Sequence, residues 1–118
     1  MVNNLGPYLR ERREALKRHD RSFSLRQVAQ RIGVEPSYLS KIERGTPAPL
    51  SEEKIIKLAL ELGDDPDILL AMSGKVSSDL QEVIRKRPQL FAKLIRELKD
   101  MPEHAVLRLV REVRDGEW

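Results

Sequence analysis

The 118-residue chain has 40% hydrophobic, 35% charged and only 4% aromatic residues, which predicts one domain, or a domain with a helical appendage, whose core of Leu, Ile, Val and Ala favours helices over strands. The absence of cysteine excludes a disulfide framework, a thiol nucleophile and a zinc site with cysteine ligands, and no apolar run approaches the roughly 18 residues of a membrane span. The net charge of +3 is unevenly distributed, because residues 1–50 carry ten Lys and Arg but only five Asp and Glu, which suits either contact with a polyanion or an uneven solvated surface.

Apolar residues at helical spacing predict the first helix. Leu5, Leu9 and Leu16 would lie on one face of a helix over 5–18. The polar segment 17–22 ends this helix and links it to the next one.

Two short helices follow, joined by a glycine. Ser24 precedes Gln27 by three residues, which is the pattern of a capping box and predicts the start of the second helix. Gly33 fits the position after that helix, where a left-handed backbone costs glycine little. Pro36 suits the first position of a third helix, which we expect to end at Arg44.

The next segments predict a loop and two more helices. Residues 46–49 (TPAP) form a stiff loop by composition. Ser51 is the expected cap of a fourth helix, which Gly63 ends. Residues 64–66 (DDP) mark the start of a short fifth helix.

The pair Ser73-Gly74 is the best candidate for a domain boundary. It separates a first domain at 1–73 from a C-terminal helical extension at 74–118.

Three further helices are predicted in the extension. Residues 78–81 (SDLQ) resemble a second capping box, and Pro88 separates the first of these helices from the second. The third begins with Asp100 as its cap and Pro102 at its first position, and Gly116 ends it.

The segment Ser24–Arg44 meets the demands of a helix-turn-helix. Two short helices that cross steeply need a small residue where they touch, here Ala29, and a residue that turns the chain, here Gly33. Apolar residues must then hold the second helix on the core while the polar residues between them point outward. The apolar residues are Val34, Leu39 and Ile42.

Residues 5–72 resemble the phage-repressor-like, or XRE-type, helix-turn-helix domain. The resemblance is carried by LGPYLRERR, SLRQVAQRIGV, PSYLSKIERG and LALELGDDPD, taken in chain order. It implies an all-α fold, with a five-helix lambda-repressor-like DNA-binding domain followed by the helical extension. It also implies a bacterial or phage-type regulator of transcription, a repressor that binds double-stranded DNA in the cytoplasm.

The resemblance also implies a role for each matching residue. Helix Pro36–Arg44 would be the recognition helix, with Ser37, Tyr38 and Lys41 facing the base edges. A pair between Arg13 and Glu43 would tie the first helix to the third. The residues expected to contact bases or phosphates are Arg26, Gln27, Pro36, Ser37, Tyr38, Ser40, Lys41, Arg44 and Thr46.

One position departs from the family pattern. Leu25 stands where members of the family often have a glutamine that contacts a phosphate. Leucine has no hydrogen-bonding group, so we expect Arg26 or Gln27 to replace that contact, beside the amides at the start of the second helix.

Several residues keep a structural alternative. Tyr38 suits either a DNA contact or half-buried packing, Lys41 suits either DNA or solvent, and Arg31 is expected in solvent. The cations of segment 17–22 suit either a flanking phosphate or solvent.

No pattern in the sequence supports an enzyme, a metal site or a cofactor. His19 and His104 lack partners at the spacing of metal ligands. No glycine-rich phosphate loop and no nucleophile motif is present. We therefore expect a protein that is not an enzyme.

Residues 75–118 leave two arrangements open, because their helices could fold back on the first domain or pair with a second copy. A homodimer is favoured, since one recognition helix reads only about four or five base pairs and two helices match a palindrome. Trp118 is expected to pack on something. The alternative function is an antitoxin-like module, in which 75–118 binds another protein and DNA binding is autoregulatory.

Overall fold

The computed structural model describes residues 5–46 and 50–116. In those ranges the chain forms eight α-helices and one short 3₁₀ helix, Arg21–Phe23, and it has no strand. This confirms the all-α expectation and the helical character of the C-terminal residues. The helices are α1 Leu5–Lys17, α2 Leu25–Ile32, α3 Pro36–Glu43, α4 Glu52–Leu62, α5 Pro66–Met72, α6 Ser78–Lys86, α7 Pro88–Lys99 and α8 Glu103–Asp115. Residues 47–49 of the predicted loop 46–49, and Trp118, lie outside the described residues.

The chain divides into two compact units, the first ending at Ser77 and the second beginning at Ser78. One hydrophobic core lies in the first unit, and all five of its helices contribute to it. The largest fully buried side chains of this core are Leu9, Val28, Ile32, Leu39, Ile55, Leu62, Leu69 and Leu70. In the described part of the second unit, none of the three helices has a buried residue.

The cap of α2 has one of the two hydrogen bonds of the predicted capping box but not the other. The Ser24 hydroxyl oxygen accepts the amide of Gln27 at 3.3 Å, as expected. The amide of Ser24, however, donates to the carbonyl oxygen of Arg21 at 3.2 Å. The Gln27 side chain therefore accepts from the Ser24 hydroxyl at 3.1 Å instead of from the Ser24 amide.

The link between α1 and α2 contains the 3₁₀ helix, which the sequence pattern did not predict. The carboxylate of Asp20 accepts the amide and the hydroxyl of Ser22, at 2.9 and 2.7 Å. These two bonds lower the pKa of Asp20. The polar segment is thus an ordered turn that fixes the distance between α1 and α2.

One face of α1 is fastened to the end of α4. The Nε of Arg12 donates to the carbonyl oxygen of Leu62 at 3.2 Å and lies 3.6 Å from a carboxylate oxygen of Asp64. Burial of Tyr8, together with its hydrogen bond to Asp64, raises the pKa of that phenol. These contacts set the angle at which α1 crosses the domain.

Gly6 brings α1 against the C-terminal end of α3. A Cβ at Gly6 would overlap the carbonyl oxygen of Ile42 and would lie 3.0 Å from the amide nitrogen of Gly45. Both obstacles are backbone atoms, so no side chain can rotate away. The absence of a side chain at Gly6 therefore sets the spacing between α1 and α3.

Gly6→Ala should destabilise the protein by about 1–3 kcal/mol, the usual cost of overpacking. Helix propensity alone predicts the opposite sign, a gain of about 1 kcal/mol. Urea unfolding followed by far-UV circular dichroism measures the difference. Glu11→Ala, at an exposed position of α1, is the control and should change the stability by less than about 0.5 kcal/mol. A Gly6→Ala protein as stable as the wild type would contradict the close approach.

Two predicted caps in the extension are wrong. Asp100 does not open the last helix; its amide bonds to the carbonyl oxygen of Leu98, and it ends α7. Pro102 then caps α8 without a side-chain hydrogen bond. Ser78 is the first residue of α6 and not its cap. The sequence pattern of a cap is the same whether the preceding helix has already ended or not, which explains the error at Asp100, whereas α6 begins one residue earlier than the pattern predicts.

No helix within 5–46 and 50–116 combines the length and the hydropathy needed to cross a bilayer.

Candidate nucleic-acid interface

The turn between α2 and α3 depends on Gly33. Its φ of +79° lies in the left-handed region, which glycine adopts without a steric cost. The amide of Val34 donates to the carbonyl oxygen of Ala29 at 2.9 Å and closes the end of α2. Ala29 is completely buried, which fits the small residue expected where the two helices meet.

The two faces of α3 have opposite roles. Leu39 and Ile42 face the core and are 0% and 6% exposed. Ser37 and Lys41 are exposed to solvent. The helix therefore lies on the domain surface with one polar face open to a large partner.

The other predicted contact residues lie around this face. α3 ends at Glu43, one residue earlier than predicted, and Arg44 follows it. The amide of Arg44 donates to the carbonyl oxygen of Ser40. Tyr38 is half-buried and packs against the core, as in the structural alternative for this residue. Exposed residues are Arg26, Gln27, Arg44 and Thr46, and half-buried residues are Pro36, Tyr38 and Ser40.

A buried ion pair fixes α3 to α1. The Arg13 guanidinium donates to both carboxylate oxygens of Glu43, from Nε at 2.7 Å and from Nη2 at 3.0 Å. Each residue is only 5% exposed. The hydrogen bonds to Glu43 outweigh the effect of burial and raise the pKa of Arg13, so the guanidinium stays charged.

The same guanidinium reaches two further groups. Nη1 of Arg13 donates to the carbonyl oxygen of Phe23 at 3.1 Å, and Nη2 lies 3.2 Å from a carboxylate oxygen of Glu14. Phe23 comes just before the cap of α2. One side chain therefore joins α1, the approach to α2, and α3.

The start of α2 lies beside these contacts. The amide of Val28 makes the first helical hydrogen bond, to Ser24, so the amides of Leu25 and Arg26 precede it and lack helical acceptors. The Leu25 side chain is half-buried and packs against the core. As a leucine it offers no hydrogen bond to this surface.

Cations of the first unit divide into paired and unpaired groups. Within 5–46 and 50–116, Arg26, Lys41 and Arg44 have no ion pair and no side-chain hydrogen bond. Unpaired charges of this kind are available to an external anion.

Arg31 is exposed, as expected, but it belongs to the paired group. Its Nε lies 2.6 Å from the carboxylate of Glu61, and its guanidinium carbon lies 5.4 Å from the ring centroid of Phe23. These contacts tie α2 to α4. No local signal in the sequence could reveal them, because Arg31 and Glu61 are 30 residues apart.

A cleft of about 220 Å³ lies where α1, α2 and α3 meet. Arg10, Leu25, Ser40 and Arg44 contribute to its lining. Sequence reasoning missed Arg10, although it precedes Arg13 by three residues and must share a face of α1 with it.

The fold and this surface define a DNA-binding regulator of the helix-turn-helix class. A family model described as "Helix-turn-helix domain" matches residues 4–67. The match covers more than half of the chain, and the chain belongs to this family. Neither the curated proteins nor the solved structures gave a match.

Proposed function

We propose that the protein is a sequence-specific repressor of the XRE, phage-repressor-like type, which binds operator half-sites in double-stranded DNA as a homodimer. The observation that carries this proposal is the buried Arg13–Glu43 pair, because it holds α3 rigidly at the surface with Ser37 and Lys41 outward. A helix held in this way can enter the major groove without first becoming ordered.

Each outward side chain has a suitable partner on DNA. The Lys41 ammonium donates to O6 or N7 of a guanine, and the Ser37 hydroxyl donates to or accepts from a base edge. The exposed part of Tyr38 lies against a thymine methyl group or bonds a phosphate. Arg26, Gln27, Arg44 and Thr46 hold phosphates on either side of the groove.

The second unit supports the homodimer. Its apolar side chains are widely exposed: Leu90 is 62%, Leu94 47% and Val113 59% exposed. Exposed apolar side chains in this number favour association, so we expect a partner to cover these helices. The unit carries nine Lys and Arg against eight Asp and Glu, so two copies would not repel each other. A second copy is the proposed cover, and it would place two recognition helices on one palindrome.

Selection of binding sites from a random duplex library tests the function. We expect the full chain to enrich a palindrome at a fixed salt concentration, because a dimer places two recognition helices on related half-sites. Recovery of no preferred sequence would contradict specific regulation.

The double variant Ser37→Ala with Lys41→Ala should lose the preference for the selected duplex over an unrelated duplex of the same length. We expect a loss on the order of 100-fold, because each base contact contributes about 1–3 kcal/mol of discrimination. Fluorescence anisotropy with both duplexes measures it. Lys57→Ala, an exposed position of α4, is the control for loss of one positive charge. Wild-type preference in the double variant would show that α3 does not read the bases.

A further inference from the structure

We propose that the cleft between α1, α2 and α3 binds one phosphodiester group of the DNA backbone, with Arg10 and Arg44 as its cations. This inference rests on the proposed function and adds a binding site to it. It also assigns a role to Arg10, which lies outside the helix-turn-helix.

The cleft has a suitable size and position. Its volume is about 220 Å³. Because one water molecule takes about 30 Å³, the cleft has room for a phosphate group with some hydration. Ser40 reaches the cleft from α3, the helix proposed to enter the major groove. A backbone phosphate beside that groove would therefore lie within reach of the cleft.

The charges around the cleft favour an anion. Arg10 and Arg44 are exposed, and within 5–46 and 50–116 neither has an ion pair or a side-chain hydrogen bond. Arg13 and Glu43 also line the cleft but neutralise each other at 2.7 Å. Arg10 and Arg44 are therefore the two cations of the lining without a counterion. The one other carboxylate in the lining is Glu14, which contacts Arg13 at 3.2 Å.

Leu25 leaves the donation of hydrogen bonds to other residues of the cleft. Its side chain lines the cleft and offers no donor to a phosphate. Any donor must then come from side chains across the cleft or from the amides that begin α2, whose N-terminal dipole adds a favourable field. Arg10 of α1 and Arg44, which follows α3, both line the cleft and can meet this need.

Three substitutions in the full chain test the site, with the selected duplex and an unrelated duplex of equal length as probes. Arg10→Ala should weaken binding to both duplexes equally, by about fivefold at ~0.15 M salt, and should reduce the salt slope of log K by about 1. Arg10→Lys should restore most of that slope because it restores the charge. Glu14→Gln should tighten binding a few-fold, since it removes the only opposing charge that is not buried.

The controls separate this site from the proposed function. Lys57→Ala removes a charge outside the cleft and should leave the salt slope unchanged. A wild-type slope in Arg10→Ala, or weaker binding by Glu14→Gln, would overturn the phosphate site while the proposed function stands. Wild-type protein that binds neither duplex would overturn both. Thermal unfolding of each variant checks that it is folded.

Discussion

Glu43→Gln should lower the free energy of unfolding by about 3–5 kcal/mol, since it leaves the Arg13 charge buried without a counterion. Whole domains are stable by only about 5–15 kcal/mol, so the loss should be visible as a large shift of the urea midpoint. The Glu14 carboxylate cannot replace Glu43, because its side chain is 42% exposed and contacts only one nitrogen of the guanidinium. Measurements need one fixed protein concentration, since the proposed dimer would also contribute to stability.

Two further variants show whether the charge or the packing matters. Glu14→Gln removes the exposed neighbour of Arg13 and should cost less than about 1 kcal/mol. The double variant Arg13→Met with Glu43→Leu removes both charges and should recover most of the lost stability. A small effect of Glu43→Gln, below about 1 kcal/mol, would mean that the pair does not hold α3.

Leu94→Glu should convert the protein to a monomer and weaken its binding to a duplex with two half-sites by at least about 100-fold. Leu94 is 47% exposed on α7, beside Ile95 with the same exposure. A carboxylate at this position would have to be buried in the proposed interface, which costs several kcal/mol without a partner. Without the dimer, binding at one half-site no longer holds a second recognition helix near the other half-site, so the gain from a high effective concentration is lost.

The dimer prediction has a matched control in the same helix. Gln89→Glu adds the same negative charge at an exposed position of α7 and should leave the dimer intact. Sedimentation equilibrium gives the mass, and a duplex with one half-site should bind Leu94→Glu and wild type alike. A monomeric wild-type protein would contradict the homodimer and would favour the antitoxin-like alternative, in which another protein covers these helices.

The parts of the fold that were predictable from the sequence depend on local signals. Ser24 and Ser51 cap α2 and α4, and Gly33 and Gly63 end the same helices with a left-handed backbone. Each of these signals acts within one helical turn. Periodic apolar residues then identified the buried faces of α1 to α4, but in α5 they pointed to Ile68, which is 55% exposed, and not to Leu70, which is buried.

The features that were missed depend on contacts distant in sequence. In the sequence, Gly6 is an ordinary residue of a first helical turn. Only the position of the end of α3 makes the absence of a side chain at Gly6 necessary. The ion pair of the exposed Arg31 depends on Glu61, which only the packing of α4 brings close to it. The role of Arg10 depends on a cleft that exists only after α1 and α3 have packed together.

The division of α3 into an inward and an outward face affects how such a protein can evolve. Leu39, Ile42 and Glu43 hold the helix, whereas Ser37 and Lys41 make no contribution to the core. Substitutions at exposed positions usually change stability by less than about 0.5 kcal/mol. If Ser37 and Lys41 read the bases as proposed, the preferred operator can drift by mutation at these two positions while the domain remains folded, so that duplicated copies could diverge to different operators with little loss of stability.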